Sequence, residues 1–246
     1  MSPSQILPFV SSALMLVFTA SVLQRYVVRR KLHFLFWGIG LAMFGAASLA
    51  EAYFALGRWS ASVFFVWYLL GAALNAAWIG HGTLLLLVRK GWARLVTAAL
   101  VIASLAAVAL MIQAMARMDG SAYLPGVPIS EQYRSLMPPI GEGGLVRLST
   151  PFFNIYGMLT LAGGALWSAW LFYRKQVLLN RVLGNVLIAG GALSVAFAGT
   201  LTRFGVSGYL YLGELLAAGL MYAGFLMASR PATQAEAENA PATSTA

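Results

Sequence analysis

Two glutamates, Glu51 and Glu214, are the only acids inside the long apolar stretches of this 246-residue chain. A charge at the centre of a bilayer costs at least about 2.5 kcal/mol on insertion scales, so each needs a task or a partner. Glu51 lies five residues before the end of its stretch at Leu56, and Glu214 six residues after the start of its own at Gly208. At about 1.5 Å of helix per residue, both are roughly 8–9 Å below the same surface. Ser48 and Tyr211 each precede a glutamate by three residues, which puts them on its helical face. Tyr53, Tyr209, Asn154, Tyr156, Thr200, Thr202 and Arg203 fall near that depth. Such a set can line an outward-opening polar pocket that takes a proton, a cation or a small polar ligand. It can equally be interhelical glue, with a glutamate paired to Arg203 or bonded to the Tyr and Ser hydroxyls.

A second polar series, Asn75, Trp78 and His81, recurs every three residues and stays within about 120° of one helix face. Asn75 near the midplane and Trp78 join the candidate lining, while His81 reads as a satisfied hydrogen-bonding residue. His33, at a membrane edge, is badly placed to share a haem with it, and two histidines cannot supply a three-histidine zinc site. No metal or other cofactor is expected. With no cysteine there is neither a thiol nucleophile nor a disulfide framework. Lys31, Lys90 and Lys175 all stand at the ends of apolar stretches, so no lysine offers a Schiff base to a retinal inside a bundle. Gly205-Val206-Ser207-Gly208 resembles a serine-protease loop, yet no histidine follows it to act as base. It reads as a turn, and the chain does not read as an enzyme.

The elements that must position these residues are apolar segments near 6–28, 34–56, 62–88, 94–116, 152–173, 180–202 and 208–229. Each matches the roughly 20 helical residues that cross a hydrocarbon core about 30 Å thick. Hydrophobic residues make up 60% of the chain and charged ones only 9%, against about 25% charged in a soluble domain. The expectation is an all-α seven-transmembrane helix bundle over 1–229, with a tail, 230–246, that is disordered and cytoplasmic.

The net charge of +9 is a topology signal rather than a sign of nucleic acid. Arg25, Arg29, Arg30, Lys31, Arg89, Lys90, Arg94, Arg174, Lys175, Arg181 and Arg230 fall on one side of the predicted bundle. Only Arg58, Arg117, Arg134, Arg147 and Arg203 fall on the other. The positive-inside rule then puts the N-terminus outside and the C-terminus in the cytoplasm of a cell inner membrane. The basic side suits anionic lipid. No positive residue precedes the first segment, which reads as a retained helix and not a signal peptide.

Between the predicted crossings, 57–61 and 204–207 read as tight turns, whereas 119–150 is a long outer loop rich in proline and glycine. Loops of that length are either functional or plain connectors. Thr150-Pro151 reads as the N-cap and first residue of the fifth helix, and the crossings are read as free of interior proline. Their many glycines suit close helix packing. The phrase Leu161-Ala162-Gly163-Gly164-Ala165-Leu166 returns as Ile188-Ala189-Gly190-Gly191-Ala192-Leu193, too short to establish an inverted repeat.

Arg29-Arg30-Lys31-Leu32-His33, Trp37 and Glu51, with Tyr68-Leu69-Leu70-Gly71 followed by Arg89-Lys90, resemble the seven-helix sensor modules of bacterial histidine kinases and uncharacterised bacterial seven-helix proteins of similar size. The resemblance implies signal reception over nearly all of 6–229. No kinase follows Arg230, so output is expected through a membrane or cytoplasmic signalling partner. The alternatives are a transporter or proton-coupled carrier, and an accessory or scaffold subunit of a membrane complex. Expected partners are the lipid bilayer, a small ligand or cation and another copy of the chain.

Overall fold

The structure, a computed structural model, describes residues 3–88, 90–175, 179–204 and 209–230, without the side chains of residues 3–5, 90 and 203. The tail from 231 onward and most of the 204–207 turn lie outside the described residues. Every regular element described is helical: α1 (Pro3–Arg29), α2 (Leu32–Ala55), α3 (Ala61–Leu87), α4 (Lys90–Met115), α5 (Ile129–Leu136), α6 (Val146–Arg174), α7 (Leu179–Arg203) and α8 (Leu210–Ala228), joined in places by short 3₁₀ turns. Seven are long and apolar enough to cross a membrane, all but α5. The chain thus has the build of a multi-pass membrane protein.

The fifth crossing, α6, starts at Val146, not at the expected Thr150-Pro151 boundary. Val146 is fully buried, and the hydroxyls of Ser149 and Thr150 both turn back to its carbonyl, so the polar stretch 147–150 is already helical. Pro151 stands inside α6, and Pro8 inside α1. Each is the sixth residue of its helix, where a missing N–H removes one ladder bond near the end without interrupting the span. The expectation of proline-free crossings is corrected accordingly.

Six crossings close a ring in the order α1, α2, α3, α6, α7, α8, with α8 returning to α1. The remaining one, α4, lies outside against α3 and α6. One apolar core fills the ring, from Met15, Phe18 and Val22 on α1 through Leu41 and Phe44 on α2 to Ala217, Met221 and Phe225 on α8. A second, largely aromatic core joins α2, α3, α4 and α6 beneath the 119–145 connection. Where α7 meets α8, a β-carbon on Gly184 would stand 2.6 Å from the Gly224 carbonyl oxygen, and one on Gly224 2.5 Å from that of Gly184. Hydrogen at these two positions is what lets the backbones touch, the small-residue packing expected of apolar helices in lipid.

Two π-helical turns interrupt the crossings, Trp67–Leu74 in α3 and Leu159–Gly163 in α6. A π turn carries an extra residue and upsets the regular ladder. The Ala72 carbonyl in the first turn accepts from Asn154 Nδ2 of α6 at 2.9 Å. The second falls within one copy of the repeated glycine phrase, while the other copy lies in regular α-helix, so the two copies are not structural equivalents.

The 119–145 connection is a folded cap. Gln132 of α5 accepts from the Leu124 N–H at 2.8 Å and donates to the Leu124 and Val127 carbonyls at 3.1 and 2.7 Å. Ile129 and Leu136 are fully buried beneath it. The Tyr123 hydroxyl donates to the Phe54 carbonyl at the end of α2, its ring stacks on Trp59 at 5.0 Å, and burial raises that hydroxyl above the ordinary tyrosine range. The loop left open as lid or connector therefore sits on the ends of α2 and α3.

Candidate functional site

Glu51 is the fifth residue from the end of α2 and Glu214 the fifth of α8, both ends lying on the cap side. Each acid is therefore about 6 Å below its helix end. The two carboxyl groups lie against one another. Two ionised carboxylates in contact repel and can only accept, so the pair is favoured with one proton held between them. Trp67 Nε1, from the π turn of α3, donates to Glu51 Oε1 at 2.9 Å. Among the described residues no N–H or hydroxyl of another side chain or the backbone reaches Oε2 of either glutamate.

Ser48 and Tyr211 are buried one helical turn from Glu51 and Glu214 on the same helices. Exposure is 1% at Ser48, 2% at Glu51, 5% at Tyr211 and 9% at Glu214, so the polar layer is closed rather than opening outward. Tyr211 is in electrostatic reach of both glutamates and, on the cap side, of Glu131 and Tyr123. Over the layer, the Tyr133 ring of α5 lies 6.1 Å from that of Trp67 and 5.9 Å from that of Tyr68. The Tyr68 hydroxyl also meets Thr150 Oγ1 at 3.2 Å. The cap thus reaches the acid pair through Trp67.

The other candidates go elsewhere. Asn154 ties α6 to α3 through the Ala72 carbonyl. Asn75 is half-buried and its side-chain oxygen accepts from the adjacent Ala76 N–H. Trp78 donates to Ser104 of α4 at 3.2 Å and stacks on Phe36 at 5.2 Å. The side chain of Arg203, proposed both as lining and as counter-ion, lies outside the described residues. Thr200 and Thr202 bond back to carbonyls of their own helix.

His81 is a strut. Its Nε2 lies 2.8 Å from Thr97 Oγ1, and its Nδ1 2.7 Å from the Tyr156 hydroxyl. Thr97 gives its only hydroxyl proton to the Ala93 carbonyl at 2.7 Å, so it can only accept from the histidine. Nε2 therefore carries the proton and Nδ1 accepts from Tyr156. Three crossings, α3, α4 and α6, are fastened at one neutral imidazole. Among the described residues no group of three His, Asp or Glu side chains is disposed around a metal position.

Sequence reasoning missed Trp67, Tyr133 and Ser11. A signal existed for Trp67: it lies six residues into the third crossing, at the depth of Glu51, and a buried indole N–H needs an acceptor. Ser11 is fully buried on α1 with an unpartnered hydroxyl, and only the register of α1 against α2 reveals its relation to the acids. The structure places together two buried carboxyl groups, an indole hydrogen-bonded to one of them and a folded cap whose Tyr133 ring lies against that indole. No family model, curated protein or solved structure matches this chain.

Proposed function

We propose that the protein is a receptor-like sensing module of a cell inner membrane, with the cap outside, in which the occupancy of the Glu51–Glu214 pair is transmitted through Trp67 to α5. The observation that carries this reading is the continuous chain of contact from carboxyl pair to indole to Tyr133. A change in the proton or ligand held by the pair alters the acceptor that Trp67 sees, and Trp67 is a packing partner of the cap. Output then passes to a membrane or cytoplasmic partner.

Hydrogen exchange on protein in nanodiscs tests this. Protection of Ile129–Leu136, corrected for the intrinsic effect of pH, should change across a pH titration, and Glu51→Gln should flatten that change. Protection that follows pH identically in both proteins would sink the receptor reading. The orientation has its own test. A reporter inserted near Gly126 should be active only outside and one placed after Ala246 only in the cytoplasm, and the reverse pattern would invert the proposed topology.

A carrier reading draws on a different observation, the two π turns that interrupt α3 and α6 within the membrane, since transporters use irregular helices to gate a path. Proton or substrate flux in reconstituted vesicles that Glu51→Gln abolishes would establish it in place of the receptor. Binding without flux supports the receptor.

A further inference from the structure

Among the described residues, Ser11 Oγ, Thr19 Oγ1 and Ser48 Oγ are buried without a hydrogen-bond partner, and Glu51 Oε2 and Glu214 Oε2 find none outside the carboxyl pair. Four of them belong to one layer. Ser12 of α1 donates to the Gly45 carbonyl of α2 at 3.5 Å, and Gly45 backs onto Met15. The helices run antiparallel, so one turn toward the cap brings Ser48 level with Ser11, and the next residue of that α2 face is Glu51. Thr19 lies about two turns deeper and is outside the layer. A buried hydroxyl or carboxylate oxygen without a partner costs about 1–3 kcal/mol. Several at one level call for an atom that bridges them.

The donor set defines that atom. Carboxyl and hydroxyl oxygens, without nitrogen or sulfur, select a hard cation. The pair with its single shared proton carries one negative charge, and a monovalent cation makes the layer neutral, which burial in lipid favours. The layer is closed, and the cavities of about 320 and 540 Å³ lie elsewhere, at 135–142 of the cap and between α6 and α7. Packing this close excludes an organic ligand.

The groups facing the layer do not replace it. Trp67 comes from α3, Tyr211 from α8, and the cap brings Glu131 and Tyr123 within electrostatic reach of Tyr211. The described basic side chains on this side stay at the rim. Arg58 is exposed, Arg117 donates to the Glu142 carbonyl, Arg134 lies over Tyr133, and Arg147 reaches the Pro138 carbonyl.

We propose that Glu51, Glu214, Ser48 and Ser11 form a binding site for a monovalent cation of the size of Na⁺, which competes with the second proton of the carboxyl pair. The inference rests on the reading of this layer as the receptor's occupied site, and names what occupies it. At low pH both carboxyls hold protons and the ion is displaced; at higher pH one proton leaves and the ion takes its place.

The test uses full-length protein in nanodiscs, titrated with NaCl against choline chloride at constant ionic strength and several pH values. Tryptophan emission is read, with Trp67→Phe identifying the Trp67 contribution. The expected result is a saturable Na⁺ response whose half-saturation rises about tenfold per pH unit of acidification, since one bound proton displaced per ion corresponds to a factor of ten. Ser48→Ala, which only removes an unpartnered hydroxyl, should raise the half-saturation about tenfold, and Ser11→Ala should do likewise. A pH response with no Na⁺ response would overturn the cation site and leave the receptor reading standing. Loss of both responses would remove both. A Na⁺ response that appears only in Arg203→Ala would also overturn the site, because the arginine would then be the native counter-ion.

Discussion

Replacing Glu51 and Glu214 together by glutamine is expected to change stability by much less than the sum of the two single replacements. Each single variant removes the carboxyl–carboxyl pairing of Glu51 with Glu214, and a proton shared between them can be lost only once. Hydrogen bonds with an ionised partner contribute about 1.5–3 kcal/mol. Glutamine keeps a carbonyl for Trp67 Nε1 and nearly the same volume, so the single variants remain foldable and the cycle is measurable. The coupling energy should fall within the roughly 0.5–3 kcal/mol seen for residues in direct contact. Reversible unfolding in mild detergent gives all four stabilities. Additivity within about 0.3–0.5 kcal/mol would mean that the acids act independently, and the shared layer would have to be given up.

The second large effect is expected at Gly157. A β-carbon there would stand 2.3 Å from the Ala76 carbonyl carbon and 2.5 Å from its oxygen, and on the facing helix a β-carbon at Gly80 would stand 2.7 Å from the Gly157 oxygen. The obstacle is backbone, so no rotamer change relieves it. The α3 backbone is also held here by Asn154 on the Ala72 carbonyl and by His81 to Tyr156. Gly157→Val should therefore cost at least the upper end of the roughly 1–3 kcal/mol typical of overpacking, and separate α6 from α3. Gly190→Ala serves as control. Nothing lies within 4 Å of its added carbon, and alanine in a helix is favoured over glycine by up to about 1 kcal/mol. Thermal unfolding in detergent should place Gly157→Val well below the native protein and Gly190→Ala at or above it. A Gly157→Val variant that melts with the native protein would contradict the close crossing.

The legible part of the fold is what a bilayer imposes. Seven apolar stretches between basic residues gave the helices, because span length and the cost of charge in lipid act on composition alone. The start of α6 was placed late because Arg147, Ser149 and Thr150 read as loop, and their helical state depends on Val146 being buried by other elements. The π turns had no signature in Trp67–Leu74 or Leu159–Gly163. They arise where α3 and α6 press together, which is tertiary. At the site, the cost of an intramembrane acid singled out Glu51 and Glu214, and helical spacing added Ser48 and Tyr211. Depth singles out Asn154 and three-residue spacing on one helix face singles out Trp78, but neither fixes which neighbour that face meets: Asn154 bonds the Ala72 carbonyl and Trp78 bonds Ser104. The cap was invisible as a structure because Gln132 and the Tyr123–Trp59 stack act through contacts distant in sequence.

The shared proton is most directly tested by infrared spectroscopy of the carboxyl groups. With ¹³C-labelled glutamate in nanodiscs at neutral pH, the native protein should show one protonated-carboxyl C=O band, shifted by strong hydrogen bonding. Glu51→Gln and Glu214→Gln should each abolish that shifted band. A native spectrum without a protonated-carboxyl band, or a band that survives unchanged in both variants, would contradict the account.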